Sequence, residues 1–564
     1  MENKRKHSEY KGLSNEELLK KVALLESENE ALETQNKEIV SHYETKNKEI
    51  VSHYETKNKE IINRYEEKLK EAARQYDYLL EQILLSKRAR FGARSEKTLM
   101  GQMSIFDEAE LFSDFEEVEE DSKEEAKEKK TTRKPKSKKF SLDDSTLRVE
   151  QIVHDLSDED KLGYKLMGQS SKKLLVFKPA EWYIEEHIYP KYVKELDDGS
   201  SDIISGDQVS AVFKGSSITS SALASILSDK YQYGLPLYRL ESKFKSYGIN
   251  LSRQTLSNWC VQSSNLYLDL LVNRMHLHLL NEGIIHADET TVKVLHHQDG
   301  SDNKKSYMWV YRSGVHNIRP LLIYDYQPNR KAENPIEFLN GFKGYLQTDG
   351  YAAYDLVPNI TRVGCLAHAR RKFVETKDIS DKSSFSYKYS TEIIKQMNYI
   401  FKLEKQKKIL ESNDFDTLRE TEIKDALESL KTMLLKYSDE ALPKSNFGKA
   451  IQYALNQFDS FEVVLKDSRL EFSNNAAERA IKPFVMGRKA WLFSNTTKGA
   501  KSSAAIYSVV QSAKENGLHI ERYLTYVFDE MKGKTVNQED QFDYLLPNSE
   551  SLPEFVYQNK KRKS

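Results

Sequence analysis

An eleven-residue motif, NKEIVSHYETK, stands at Asn36 and again at Asn47, and an imperfect third copy begins at Asn58. The repeat sets Ile39, Ile50 and Ile61 with Tyr43, Tyr54 and Tyr65 on one stripe of a helix. Eleven residues close about three turns, so the stripe runs straight or winds slightly to the right. Upstream, Ser14 and Glu17 have capping-box spacing, and Leu18, Leu25, Leu32 and Ile39 follow at steps of seven. Val22 and Asn29 take the intervening seam positions, where a buried Asn acts as a register-setting device. The pattern predicts one long helix to about Lys87. Its apolar stripe is suited to a second copy, so the chain is expected to be at least a dimer.

A chain of 564 residues is too long for one core, and several units are expected. Acids and bases nearly cancel, for a net charge of −1, so any binding of nucleic acid must come from local basic surfaces. Cys260 and Cys365 are the two cysteines. They exclude a cysteine-rich zinc site and argue against a disulfide scaffold, which fits a reducing compartment. No apolar run approaches the ~20 residues of a membrane span. The start, MENKRKHSEYKGLS, has no apolar stretch behind its charges and does not read as a secretory signal. A cytoplasmic protein without a membrane partner is expected.

Composition divides the rest. The helix and the basic KRARFGARSEK occupy residues 1–100, and a charged linker follows over 101–145, acidic in DFEEVEED and basic in KKTTRKPKSKK. Residues 146–212 read as short strands, a small β-rich module. Residues 213–278 are helical. Within them LPLYRLESKFKSYGINLSRQTLSNWC has the shape of a helix-turn-helix, its second helix capped by Ser252. From that helix Arg253, Gln254 and Asn258 are candidates for contact with DNA bases. An α/β unit follows over 279–375, a helical insertion over 376–466, and the second part of the α/β unit over 467–518. A C-terminal element with a basic tail, Lys560 to Lys563, closes the chain over 519–564.

The chemistry lies in the α/β unit. IIHADETTVKV opens as a buried strand, yet Asp288 and Glu289 fall in its middle. Charge there is costly unless something compensates it. Asp349 ends a later strand, before Gly350, and Glu478 sits in a helix beyond the insertion, behind an Asn-Asn pair that supplies helix caps. Converging carboxylates make an all-oxygen site suited to Mg2+ or Mn2+, and a pair of such ions supports in-line phosphoryl displacement. Taken singly, an Asp before Gly is a turn and a helical Glu is solvated. Glu289 should face away from Asp288 on a regular strand and is not expected to be a ligand. The order of three strands, helix, strand, helix, strand, helix is that of a ribonuclease-H-like fold, which carries acids on its first strand, after its fourth and on a late helix.

Several long motifs resemble the transposases of the insertion-sequence 66 family, in the family's order. They are FGARSEK with GQMSIFDEAE, YQYGLPLYRLESKF, HADET, TDGYAAY, LAHARRKF, NNAAERAIKPFVMGRKAWLFSNT and AAIYSVVQSAKENGL. The resemblance covers most of the chain. It implies that Asp288, Asp349 and Glu478 are the catalytic, metal-holding DDE triad of a ribonuclease-H-like core, with two Mg2+ or Mn2+ ions. It also implies a bacterial, DNA-associated enzyme that binds inverted-repeat element ends, hydrolyses a strand and joins the 3′-hydroxyl to target DNA, with companion proteins of the element as further partners. A catalytically idle DNA-binding descendant and a ribonuclease-H-like nuclease are the alternatives. Arg371, Lys482, Arg488, Lys489 and Trp491 are further candidates for DNA contact. His368, Arg370 and Lys372 lie beside Arg371, just after a core strand.

The sequence departs from the family where a zinc module with paired cysteines is expected. HDLSDEDKLGYKLMGQ has no cysteine, and His154 alone cannot supply the about four ligands of structural zinc. A β-rich module without zinc is expected there. Near the end, LLPNSESLPEF resembles the family's C-terminal element without its tryptophan.

Overall fold

The structure, a computed structural model, describes residues 14–91, 182–189, 191–195, 201–205, 209–297, 300, 305–538 and 540–558. The expectations for FGARSEK beyond Phe91 and for GQMSIFDEAE, the charged linker, His154, most of the β-rich module and the basic tail lie outside these residues. The chain forms two compact units. One holds residues 1–90 with 379–386, and the other holds residues 91–378 with 387–564.

In the first unit a single helix, α1, runs Asn15–Phe91. Glu17 accepts from the Ser14 N–H at 3.0 Å, the reciprocal half of a capping box. No glycine or proline interrupts it before Gly92, which is why one helix spans both the heptad and the eleven-residue patterns. Ile39, Ile50 and Ile61 are each 46% exposed, so the three repeats present equivalent surfaces.

In the second unit the described part of the β-rich module contains one antiparallel pair, Lys191–Glu195 (β1) with Ser201–Ser205 (β2). The helical region follows as Ser220–Tyr231 (α2), Leu237–Ser246 (α3), Arg253–Ser263 (α4) and Asp269–Leu280 (α5). The Ser252 hydroxyl caps α4, accepting from the Thr255 N–H at 3.1 Å. Leu240, Phe244, Leu256, Cys260, Leu271 and Met275 join the same apolar cluster as the sheet, so the region shares a core with it.

The sheet is built on Ile284–His296 (β3), with Lys305–Ser313 (β4), Leu322–Gln327 (β5), Gly344–Gln347 (β6) and Ile360–Val363 (β7). Its order is β5-β4-β3-β6-β7, with β3 central. β4 and β5 run antiparallel in a meander, whereas β6 is parallel to β3 and β7 to β6. Glu333–Phe338 (α6) leads into β6. Between β6 and β7 the connection is a 3₁₀ turn, Ala352–Leu356, where the sequence pattern implies a helix; the segment is too short for one.

Beyond β7 lie Leu366–Ile379 (α7) and the insertion, with Phe385–Glu404 (α8), Ser412–Leu418 (α9), Lys424–Ser438 (α10), Asn446–Asn456 (α11) and Phe458–Glu462 (α12). The insertion buries Ile393, Met397, Leu430, Phe447, Ile451 and Phe458, which do not join the sheet's cluster. Asn475–Trp491 (α13), Ser494–Thr496 (β8), Thr497–Glu515 (α14) and Ile520–Met531 (α15) complete the unit. α14 covers the edge strand β5: the Ser512 and Ser508 hydroxyls accept the Leu322 and Tyr324 N–H groups, each at 2.8 Å. Serine is small enough to bring the helix close and polar enough to satisfy an open sheet edge.

Candidate active site

β3 outruns its parallel neighbour. Its pairing with β6 ends at His286, opposite Gln347, while the antiparallel pairing with β4 continues through Asp288, opposite Val310. Residues 284–287 are therefore buried between layers, and residues 288–291 are only half-buried. Asp288 is the first side chain beyond that limit. Its Oδ1 accepts from the Glu289 N–H at 2.8 Å. Desolvation pushes its carboxyl well above the aspartate range, and the carboxylates of Glu289, Asp349 and Glu478 push it further. These residues come from one strand, one turn and one distant helix, and the fold brings them together.

Asp349 lies two residues past β6, in a turn closed by the Tyr351 N–H donating to its Oδ1 at 2.9 Å. Glu478 lies in the first turn of α13 with its side chain only 2% exposed. His368 Nε2 stands 3.5 Å, and an Arg371 guanidinium nitrogen 3.6 Å, from Glu478 Oε1. Burial, then Arg371, lowers the His368 imidazole to about 4, with Asp349 pulling the other way, so the ring is neutral near pH 7.

Glu289 does point away from Asp288, but not to solvent. Arg330 Nε donates to its Oε1 at 2.8 Å and the Tyr354 hydroxyl to its Oε2 at 2.5 Å. The Arg330 guanidinium stacks 3.8 Å above the Tyr351 ring. Desolvation first, then Asp349, raises the Glu289 carboxyl, and Arg330 and Tyr354 oppose that rise. Glu289 thus belongs to the electrostatic cluster, acting on Asp288 and acted on by Asp349, a link that strand alternation does not reveal.

The segment entering α13 is tied to the sheet. Asn474 occupies the N-cap position, but its side chain makes no cap hydrogen bond, contrary to the role expected of the Asn pair. Its Nδ2 instead donates to Ala287 O at 2.8 Å, and its Oδ1 lies 3.1 Å from His286 Nδ1. Its backbone N–H reaches Cys365 Sγ at 3.2 Å. One asparagine therefore links the residue before Asp288, the approach to α7 and the start of the Glu478 helix.

A family model described as "Transposase IS66 family" matches residues 215–502, about half of the chain, including the strand, turn and helix that carry these acids. The chain belongs to the IS66 transposase family. A second model, described as "Transposase C of IS166 homeodomain", matches residues 78–150. The protein is 28% identical to the uncharacterized protein y4qI of Sinorhizobium fredii, over 77% of this chain and 81% of the relative. It is 29% identical to y4hP of the same organism, over 54% of this chain and 58% of the relative. With y4jD the identity is 25%, over 68% and 75%. Family membership makes a transposase the class of protein in which this cluster stands. Among the described residues no helix is long and apolar enough to cross a membrane.

The remaining candidates in this IS66-family chain fall into different surroundings. Arg253, Gln254 and Asn258 are exposed on α4; Arg253 pairs with Glu241 at 2.9 Å, and Gln254 donates to Asn258 at 2.9 Å. Arg371 is buried against Glu478. Arg488 Nη1 bonds to the Thr291 carbonyl and, at 3.0 Å, to its hydroxyl, which fixes α13 to β3. Trp491 is half-buried edge-to-face on Phe484, centroids 5.6 Å apart, as part of the packing. Lys489 is exposed and Lys482 half-buried.

As a metal site the donor set fits in kind. It is all oxygen, and the Asp288 carboxyl is disfavoured as an anion first by desolvation and then by its acidic neighbours, a cost that a hard divalent cation relieves. Among the described residues no three acidic, His or Cys side chains close into a cage. An ion here would draw further oxygens from phosphate and water, as Mg2+ usually does.

Proposed function

We propose that this protein is an active DDE transposase with a ribonuclease-H-like core, in which Asp288, Asp349 and Glu478 form the catalytic and metal-holding triad. The observation that carries the reading is the convergence of acids from a strand, a turn and a helix, close enough that the carboxylates of Asp349 and Glu478 act on the desolvated Asp288 where β3 runs past β6. The sheet order supports it: an antiparallel meander of three strands extended by two parallel ones. The substrates are the inverted-repeat ends of an insertion sequence and a target DNA.

Mg2+ or Mn2+ held by the triad would supply an activated oxygen nucleophile and charge stabilisation for in-line displacement. The chain's own residues do the rest. Arg371 and neutral His368 hold Glu478 from the α7 side. Arg330 and Tyr354 keep Glu289 engaged. Exposed Arg253, Gln254 and Asn258 on α4 are offered to base edges, and Lys489 to phosphate. Hydrolysis of one strand leaves a 3′-hydroxyl; that hydroxyl then attacks a target phosphodiester and expels the target's own 3′-oxygen. No covalent protein intermediate is needed.

The test is strand cleavage and joining on labelled element-end DNA with Mg2+ or Mn2+. Wild type should form and join 3′-hydroxyl ends, and Asp288→Asn should bind the DNA but not cut it. Binding without cleavage in wild type would favour an idle DNA-binding descendant, and cleavage without joining a nuclease.

A further inference from the structure

The helical insertion touches the turn after Asp349, the start of α7 and the segment that leads into α13. Tyr453 of α11 lies against Gly350, directly after Asp349, with its hydroxyl packed close on the Gly350 backbone. A Cβ on Gly350 would stand 2.5 Å from that hydroxyl and 2.6 Å from the ring, so the ring comes closer than any side chain at this position would allow. Lys372 of α7 covers the same ring, 4.4 Å from its centroid.

A second approach meets the start of α7. The Gly364 N–H donates to Ser460 O at 3.0 Å, and a Cβ on Gly364 would collide with the Ser460 hydroxyl and come within 2.9 Å of Phe461. Cys365 and the helix bearing His368 and Arg371 follow at once. A third approach meets the segment before α13. Glu404 Oε1 accepts the Phe472 N–H at 2.8 Å, and buried Arg419 donates to Asp467 O at 2.7 Å and Leu470 O at 2.6 Å. Phe472 O in turn accepts the Leu366 N–H at 2.8 Å.

Glycine at both close approaches has a steric reason, since backbone from one part of the unit meets a side chain or carbonyl from another. A spacer that merely bridged α7 and α13 would need none of these contacts. We propose that the insertion is a wall of the acidic centre, and that Tyr453 is the positioning residue that fixes the Asp349–Gly350 turn against Glu478 and Asp288. The proposal rests on the transposase reading of the triad. Tyr453 touches neither DNA nor the reacting atoms; it acts through Asp349.

The test uses the full chain, element-end DNA and Mn2+, with two readouts: steady-state strand cleavage, and the rise in melting temperature that Mn2+ alone produces. Tyr453→Phe removes the hydroxyl that stands nearest Gly350 and keeps the ring. It should lower kcat about 3- to 10-fold at unchanged KM for DNA, the range expected for loss of one close polar contact. The Mn2+-induced rise in melting temperature should shrink. Gly350→Ala should lose more, and Gly350→Ala combined with Tyr453→Ala should recover both readouts in part, because the second substitution opens the space that the new methyl needs. A Tyr453→Phe enzyme with wild-type kcat and metal response overturns the proposal, as does a loss confined to KM. A wild type that responds to Mn2+ but does not cut leaves the decision to the melting shift. A wild type that neither cuts nor responds defeats the functional reading and this proposal with it.

Discussion

The N-terminal helix and the acidic edge of β3 each place residues against the usual preference, in opposite senses. On α1, Ile39, Ile50 and Ile61 with their tyrosines stand outside, where water is a poor solvent for them. On β3, Asp288 and Glu289 stand where water is scarce, among like charges. A folded unit tolerates either when a partner completes the surface: another apolar stripe for the helix, cations and phosphates for the acids. The difference is in what each region loses without its partner. The helix loses buried area that it never had within its own unit, whereas the acids carry a standing electrostatic cost in the isolated fold.

Substitution should separate the two. Asp288→Asn is expected to reduce strand cleavage at least ~10²-fold, as loss of a strong electrostatic contact at a reaction centre does. Without metal the same variant should be more stable than wild type by on the order of 1 kcal/mol, since it removes one charge from a repelling cluster. Urea melts with and without Mn2+ check this. A destabilised metal-free variant would mean that the acid is structural, and the comparison would collapse.

If the stripe pairs with that of a second copy, replacing Ile39, Ile50 and Ile61 together by Lys leaves monomers in sedimentation velocity where wild type runs as a larger species. The melting transition of the second unit should stay within about 0.5 kcal/mol of wild type, as for exposed positions generally. A shift in that transition would show the stripe to be needed within one chain.

Glu404 supplies the smallest and most controlled contrast, a buried acid outside the cluster. Burial first, then Glu471, raises its carboxyl from the ordinary range to about 7. The folded state therefore holds a proton that the unfolded chain releases near 4.5. The stability this contributes is complete below the unfolded value and is lost as pH rises through about 7. Glu404→Gln keeps an oxygen for the Phe472 N–H and should flatten that decline, by about 1–3 kcal/mol across the interval. Identical pH profiles for variant and wild type would place Glu404 in contact with water.

Much of this was legible before any coordinates. The eleven-residue repeat specifies a helix and its stripe because helical geometry acts between near neighbours in sequence. Asp288 was legible because two charges inside an apolar, β-branched run violate the strand's own pattern. The Ser252 cap was legible for the same local reason. Glu289, Asn474 and Tyr453 were not. Glu289 obeys strand alternation and is found among the acids only because β3 outruns β6 and meets the turn after Asp349. Asn474 looked like a helix cap, and its amide serves Ala287 instead, which no neighbour in sequence announces. Trp491 and Arg488, candidates for DNA contact, have a packed ring beneath one and a strand carbonyl beside the other.

The sequence by itself determined the repeat-bearing helix, most of the order of strands and helices along the α/β region, the placement of three acids on a strand, a turn and a helix, and the family. Those are matters of period, local propensity and motif, and each is decided within a few turns or a few residues of chain. Only the tertiary structure decided which carboxylates act on the desolvated Asp288, and that an insertion far along the chain closes on two glycines near them. Electrostatic coupling and steric fit act through space and fall off over a few ångströms, so no spacing in the sequence encodes them.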